Sequence, residues 1–247
     1  MKYTIAFILS FLCGAAPAWA LGADAWNTGF IIDFNEQWLR QDALNRALGQ
    51  ARKDMQGSSK PRRGGDPNFK TDVLYTGAQP VVQGEFLEDS AVRKLAGMFP
   101  PAQRKQNEAL FTQIISSFND NVERLYKVPP ENLATGVGAL LAGGWSAYHN
   151  KPFPDGWVRP LVMQLGDLLR QKPELFEGKT TYKRESYQMG VGVGMLLLTA
   201  QSELAKGQAA PGMDAAGLKA VGGQVLQAVL GARPERIEFS SSGFRIR

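Results

Sequence analysis

Three short motifs in this chain carry residue types that could do chemistry. The stretch 182–204 contains the pair Glu185-Ser186 and then a G-x-G-x-G run of glycines. His149, the only histidine, stands near the end of a different apolar stretch. A glutamate flanked by aromatic residues can act as a general acid on a glycosidic bond, and a glycine-rich loop can hold a phosphate. Each possibility depends on the element that carries the residues.

The glycine run does not fit a phosphate loop. Such a loop places its glycines between a strand and the start of a helix, where free N–H groups can point at the anion. Gly190, Gly192 and Gly194 instead follow eight residues with a helical pattern, and no lysine or arginine follows within reach. Glycine inside a helix costs about 1 kcal/mol relative to alanine, so this run needs a packing reason. The segments 131–149 and 180–206 both carry strips of small residues and are predicted to be the closely packed central pair of a helical bundle.

Glu185 is the single candidate catalytic residue. Glu-Ser followed by an aromatic residue resembles the start of the lytic transglycosylase motif, and the resemblance implies a helical periplasmic enzyme with Glu185 as the general acid. The chain departs from that family, because no G-L-M-Q element follows at the right distance. The A-Y-N-A-G element is also missing, and the sequence AYHNK at 147–151 lies upstream and differs from it. A cell-wall glycosidase is therefore an alternative function, beside an ordinary surface glutamate near the start of a helix.

The remaining composition excludes several classes of site. A single histidine cannot build a multi-histidine metal site, and no G-x-S-x-G motif accompanies His149. The one cysteine, Cys13, lies in the N-terminal stretch that we expect to be removed, which excludes disulfides and thiolate sites in the mature chain. No metal, cofactor or nucleotide is expected.

The first twenty residues have the pattern of a secretory signal peptide. Lys2 supplies the positive charge, residues 5–12 form a short apolar run, and Ala18-Trp19-Ala20 is a small-residue cleavage site. Cleavage near Ala20 predicts a periplasmic or secreted protein. With 28 basic and 23 acidic residues the chain is mildly basic, and for an exported protein this favours anionic envelope surfaces over nucleic acid as partners.

The segment 21–72 is predicted to precede the main domain. Residues 21–55 indicate one or two helices, whereas residues 56–72 combine glycine, proline, serine and charge without periodicity. The latter stretch is typical of a flexible linker and holds a concentration of basic residues. Its basic residues offer a further alternative, namely a protein that associates with a membrane surface through this linker.

Residues 73–247 are predicted to form an all-α bundle domain, and the whole chain about five to seven helices. Apolar residues recur at helical spacing in 101–128, 129–150, 158–169, 182–204 and 214–230. Asp155 is predicted as an N-cap, and Gly231 as the glycine that ends the last helix. Alternation at 237–246 favours a short β-like tail, either a hairpin or an extended segment. The longest uncharged run, 132–150, is interrupted by glycines and polar residues, so no transmembrane helix is expected in the mature chain.

One resemblance covers residues 130–244. The motifs that carry it are PPENLATGVGALLAGGWSAY, RPLVMQLGDLL, ESYQMGVGVGMLLLTAQ and the closing RIEFSSSGF. Together they resemble a domain family of unknown function found in exported proteobacterial proteins. The resemblance implies a signal peptide and a helical domain, and it supplies no catalytic residue.

The sequence therefore favours a non-enzymatic binding or interaction protein of the cell envelope. The expected partner is another envelope protein or an anionic cell-wall or lipid surface. Candidate binding residues are the polar and aromatic groups at the ends of the two predicted central helices: Trp145, His149, Asn150, Tyr182, Tyr187 and Gln188.

Overall fold

The described part of the chain is a bundle of six α-helices followed by a β-hairpin. The structure is a computed structural model, and it describes residues 48–49, 72–77, 91–208 and 214–247. Its elements are α1 (Ala91–Gly97), α2 (Arg104–Tyr126), α3 (Leu133–His149), α4 (Asp155–Arg170), α5 (Thr180–Ala205), α6 (Ala215–Leu230), β1 (Ile237–Ser240) and β2 (Gly243–Ile246). The predicted all-α bundle with a short β-like tail is confirmed.

The predicted signal peptide and almost all of the predicted N-terminal extension lie outside the described residues. Of the segment 21–72 the structure describes only residues 48–49 and Asp72. Leu48 is buried against the bundle core. The predicted helices of 21–55 and the flexibility of 56–72 stay predictions.

Helices α3 and α5 form the centre of the bundle, as predicted. They share a more extensive contact than any other pair of described elements. A Cβ atom added at Gly190 would lie 2.5 Å from the Gly136 carbonyl oxygen, and one at Gly143 would collide with the main chain of Gly194. Only glycine allows the two backbones to approach this closely, which is the physical reason for the glycine runs. These two contacts also show that the helices run in the same direction.

The other helices pack around this pair. Helices α4 and α6 lie against α3, while α1 and α2 lie against α5. Each of the six contributes side chains to one continuous core, represented by Leu95, Phe111, Leu140, Leu165, Val193 and Leu226. Burying this apolar surface supplies the main stabilising free energy of a domain without disulfides.

Local residues explain both ends of α6, whereas one predicted helix cap is wrong. Asp214 caps α6 by accepting a hydrogen bond from the Gly217 N–H at 2.7 Å, and Gly231 ends the helix in the left-handed conformation with φ 54°. The prediction of Asp155 as an N-cap is wrong, because the cap position belongs to Pro154 and Asp155 is the first helical residue. The Asp155 carboxylate instead accepts a hydrogen bond from the Tyr126 hydroxyl at 3.3 Å, a contact with α2.

The C-terminal tail is a two-stranded antiparallel hairpin, the first of the two predicted forms. Ile237 pairs with Ile246, and Ser240 pairs with Gly243. Phe239 and Phe244 are both buried against the bundle. None of the helices in the described ranges combines the length and the hydropathy needed to cross a bilayer.

Candidate functional site

The six predicted binding residues lie in two separate places. Trp145, His149 and Asn150 lie at the C-terminal end of α3, whereas the others lie in the N-terminal half of α5. Tyr187 packs against Gly136. Gly136 precedes Trp145 by nine residues, or about 13 Å along the α3 axis. Because α3 and α5 run in the same direction, the two groups lie toward opposite ends of the central pair.

The group on α5 belongs mainly to the core. Tyr187 is fully buried, and its hydroxyl donates a hydrogen bond to Asn119 Oδ1 at 2.5 Å. Burial raises the pKa of Tyr187 far above its ordinary range, so the phenol stays protonated. Tyr182 and Gln188 are half-buried, and Tyr182 packs against the core. This group is therefore poorly placed to meet a ligand.

Glu185 forms an ion pair between helices. Its carboxylate accepts a hydrogen bond from the Lys94 ammonium of α1 at 2.7 Å, and the glutamate side chain is 29% exposed. A glycosidic general acid has to present its own proton to the leaving group. The observed pairing gives Glu185 a structural role in holding α1 against α5.

The group on α3 belongs to a cluster of aromatic side chains at the surface. Trp145, Tyr148 and His149 share one side of α3 because they are spaced by three and four residues. Trp157 joins them from the first turns of α4, with its ring centroid 5.8 Å from that of Trp145. The His149 ring lies 4.6 Å from Trp145 and is exposed, while the other three are half-buried. We call these four residues the aromatic surface.

The aromatic surface rests on a buried layer that includes the C-terminal hairpin. The Phe153 ring lies 5.4 Å from Trp145 in an edge-to-face arrangement, and it is only 2% exposed. The ring of Phe239, in β1, lies 5.9 Å from that of Phe153. Phe153 therefore contacts both the hairpin and the two half-buried tryptophans, whose orientation it helps to fix.

Sequence reasoning identified one end of this site and missed the rest. Phe153 and Trp157 follow α3 within eight residues, whereas Phe239 comes from the C-terminal hairpin and meets them only in the folded chain. The proline on each side of Phe153, in the stretch 152–154, was a signal for a fixed aromatic loop residue. Nothing local indicates that Phe239 would pack beneath it.

The charges around the aromatic surface are mainly positive. The Lys219 ammonium lies 5.3 Å from the centre of the Tyr148 ring, a cation–π contact from α6. The Tyr148 hydroxyl donates a hydrogen bond to Glu235 Oε1 at 2.8 Å, and this bond raises the pKa of Tyr148. Partial burial, followed by the charges of Lys151 and Lys219, lowers the pKa of His149. At neutral pH His149 is therefore uncharged beside two exposed cations.

A second polar cluster fixes residues 72–77 to the bundle. The Asp72 side chain is 1% exposed, and Arg170 Nη2 and Nε donate to its oxygens at 2.6 and 3.1 Å. Asn132 Nδ2 and the Leu74 N–H also donate to it, each at 3.1 Å. Burial acts to raise the pKa of Asp72, but these donors and the Arg170 charge outweigh it and lower the pKa. Since these donors satisfy both carboxylate oxygens, this cluster is structural.

An apolar cavity of about 40 Å³ lies between four helices. Its walls include Phe118 of α2, Gly138 and Ala142 of α3, Val162 of α4 and Met195 of α5. Binding sites for small molecules are usually several times larger and contain converging polar groups. Nor do the described residues hold any group of three or more histidine, cysteine or acidic side chains placed to bind a metal ion.

Comparison with known proteins identifies a family and no activity. Neither the curated proteins nor the solved structures contain a match to this chain. A family model does match, over residues 5–247, which extends well beyond the 130–244 over which the sequence motifs carry their resemblance. That model describes a family of unknown function. With a match of this length, the chain belongs to the family of unknown function DUF6683.

Proposed function

We propose that this protein is a non-enzymatic binding protein of the cell envelope and that the aromatic surface is its binding site for another protein. The observation that supports the proposal is the cluster of Trp145, Tyr148, His149 and Trp157 at the surface, in which both tryptophans are half-buried and pack on Phe153. Export to the envelope is supported by the charge, apolar run and cleavage pattern of residues 1–20.

The physical argument begins with the residue types. Tryptophan and tyrosine dominate the energetics of protein interfaces, because they bury large areas and lose little rotamer freedom. Trp145 and Trp157 are already ordered by contacts with Phe153, so binding requires little further ordering. The aromatic surface is thus organised before a partner arrives.

The surrounding charges indicate the kind of partner. Lys151 and Lys219 are exposed beside His149, and Arg233 is exposed near Glu235. Complementary charge increases the association rate and disfavours partners of the wrong sign. We therefore expect the partner protein to present an acidic surface.

Affinity capture from envelope extract tests the proposal. The immobilised full chain should retain a specific protein, and Trp145→Ala should lose at least nine-tenths of it. Tyr182→Ala is a matched control, because it removes a half-buried aromatic ring from α5, away from the aromatic surface. Equal retention by both variants, or no specific retention by the native chain, would contradict the proposal, provided that circular dichroism shows all three chains to be folded.

The glycosidase alternative has its own test. Release of soluble fragments from purified peptidoglycan is compared between the native chain and Glu185→Gln. Since the Glu185 carboxylate is engaged by Lys94, we expect no release by either protein. Release by the native chain that disappears in the variant would replace binding with wall cleavage as the function.

A further inference from the structure

The pairing of the hairpin determines which main-chain groups face outward. Residue pairs in an antiparallel ladder alternate between hydrogen-bonded and non-hydrogen-bonded. The Phe244 N–H donates to Gln164 Oε1 at 2.7 Å, and its carbonyl accepts from Gln164 Nε2 at 2.8 Å. Phe244 therefore directs its main chain away from β1, and its partner Phe239 directs its own away from β2.

The two edges of the hairpin consequently differ. On the β2 edge the side-chain amide of Gln164 replaces a neighbouring strand by both donating and accepting a hydrogen bond. On the β1 edge no described residue makes a hydrogen bond to the Phe239 N–H or carbonyl. The Ile237 N–H on the same edge already donates to the Pro234 carbonyl. At Phe239 the β1 edge can make two main-chain hydrogen bonds to one more strand, because unpaired groups at a sheet edge are ready to pair with another chain.

This edge lies beside the aromatic surface. The Phe239 ring contacts Phe153, which in turn contacts Trp145 and Trp157. A segment running along β1 would therefore place the apolar side chains of one of its faces near Phe153 and the aromatic surface. Alternate residues on its other face would point away, because successive side chains of a strand project to opposite sides.

We propose that an extended acidic segment of a partner protein binds by adding a third strand to the hairpin along β1. This inference rests on the proposed binding function and specifies its mode. Exposed Lys151, Lys219 and Arg233 provide the charge complement for the acidic side chains. Main-chain hydrogen bonds to Phe239 provide affinity that depends little on sequence, as in other cases of strand addition.

The charges also argue against a second copy of this chain as the added strand. Edge-to-edge pairing of two hairpins would gather Arg236, Arg245 and Arg247 of both copies on one four-stranded sheet. All three are exposed, and the hairpin offers only Glu238 in compensation, which already pairs with Arg245 and Arg247. The net positive charge of such a sheet disfavours the pairing.

Labelled nonapeptides test this mode by fluorescence anisotropy with the full chain. The probe alternates glutamate and valine around a central phenylalanine, and a second peptide has lysine in place of glutamate. Two further peptides carry main-chain N-methyl groups at odd or at even positions. We expect the lysine peptide to bind at least tenfold more weakly than the acidic probe. One of the two N-methylated peptides should show the same loss, namely the one whose methyl groups lie on the edge that faces β1.

Variants of the protein complete the test. Lys219→Glu should weaken the acidic probe about fivefold, whereas Arg104→Glu, an exposed change on α2, should not. No binding of the probe, equal binding of the lysine peptide, or no effect of either N-methylation would overturn strand addition. If sedimentation shows a dimer that does not bind the probe, the β1 edge instead pairs with a second copy of this chain. If no peptide binds but Trp145→Ala still abolishes capture from extract, strand addition is wrong and the proposed binding function stands.

Discussion

At the scale of single residues, the clearest feature is the burial of one carboxylate. Asp72 stood at the end of a segment with no periodic pattern, yet it accepts hydrogen bonds from Arg170, Asn132 and the Leu74 N–H. Lys183 adds a bond to the neighbouring Val73 carbonyl at 2.7 Å. These contacts join the segment 72–77 to the start of α3 and to α4 and α5, which are distant in sequence.

The substitution Asp72→Asn should destabilise the protein. Removing one partner of a buried ion pair costs about 3–5 kcal/mol, and we expect about 2–3 kcal/mol because solvent reaches part of Arg170. Asp167→Asn is the matched control, since Asp167 lies 3.5 Å from the same guanidinium and is 35% exposed. Chemical denaturation at pH 7 measures both, and an equal effect of the two changes would refute the role assigned to Asp72.

The same residue predicts a pH dependence. The pKa of Asp72 is lowered in the folded state, so its contribution to stability is present above the unfolded value of about 3.9 and is lost as the pH falls below it. Denaturation curves of the native chain should show this loss of stability at acidic pH. The variant Asp72→Asn should lack the part of the loss that comes from protonation of Asp72. Identical acid profiles for the two proteins would count against the ion pair.

His149 predicts an effect in a different range. Its pKa is lowered in the folded state, so protonation opposes folding, and stability decreases as the pH falls below the unfolded value of about 6.5. We expect a small decrease in melting temperature from pH 7.5 to 5.5 that His149→Gln removes. Titration of the imidazole by NMR gives the pKa directly, and a value above that of a model peptide would show the prediction to be wrong.

At the scale of elements, glycine decides how the helices pack. Replacing glycine by alanine normally stabilises a helix, because alanine has the higher helix propensity. Where the backbone of another helix occupies the position of the added Cβ, the same replacement must separate the two helices. Gly136 and Gly190 are in that situation at the α3–α5 contact.

Two substitutions separate these effects. Gly190→Ala should destabilise the protein by about 2–3 kcal/mol, because its Cβ would meet the Gly136 carbonyl and interiors tolerate overpacking poorly. Gly156→Ala is the control, since Gly156 lies in α4 with no atom within 4 Å of the added Cβ, and it should stabilise by about 0.5–1 kcal/mol. Thermal unfolding of the two variants measures the difference. Effects of the same sign would refute close helix packing as the reason for Gly190.

At the scale of the whole molecule, the hairpin and the segment 72–77 complete the bundle from opposite ends of the described chain. Gln164, near the middle of α4, holds the hairpin through two hydrogen bonds, and Arg170, the last residue of the same helix, holds Asp72. Helix α4 thus connects the support of the aromatic surface with the Asp72 cluster.

The proposed export predicts a processed chain. When the protein is expressed with its native N-terminus in a Gram-negative host, N-terminal sequencing of the periplasmic form should begin at Leu21. Ala20→Arg should block cleavage, because the cleavage site requires small residues and arginine is long and charged. An unprocessed protein found only in the cytoplasm would contradict export.

The sequence determined the local features of this protein. Helical periodicity predicted the all-α bundle, alternation predicted the tail at 237–246, and the glycine strips predicted the central pair. These predictions succeed because each depends on spacing within one element or on glycine's missing side chain. The N-cap prediction for Asp155 failed because its hydrogen-bond partner, Tyr126, lies on another helix, which spacing within one element cannot indicate.

Only the tertiary structure decided how the residues are grouped. Trp145 and His149 could be selected from their helix, but their neighbours Trp157 and Phe239 come from other segments. Tyr187 looked equivalent to them in sequence and is buried, because it packs against a glycine of α3. Asp72 gave no signal, since its ion pair joins residues 98 positions apart. Helix patterns are set by neighbours in the chain, whereas sites are set by contacts between elements, which local spacing does not encode.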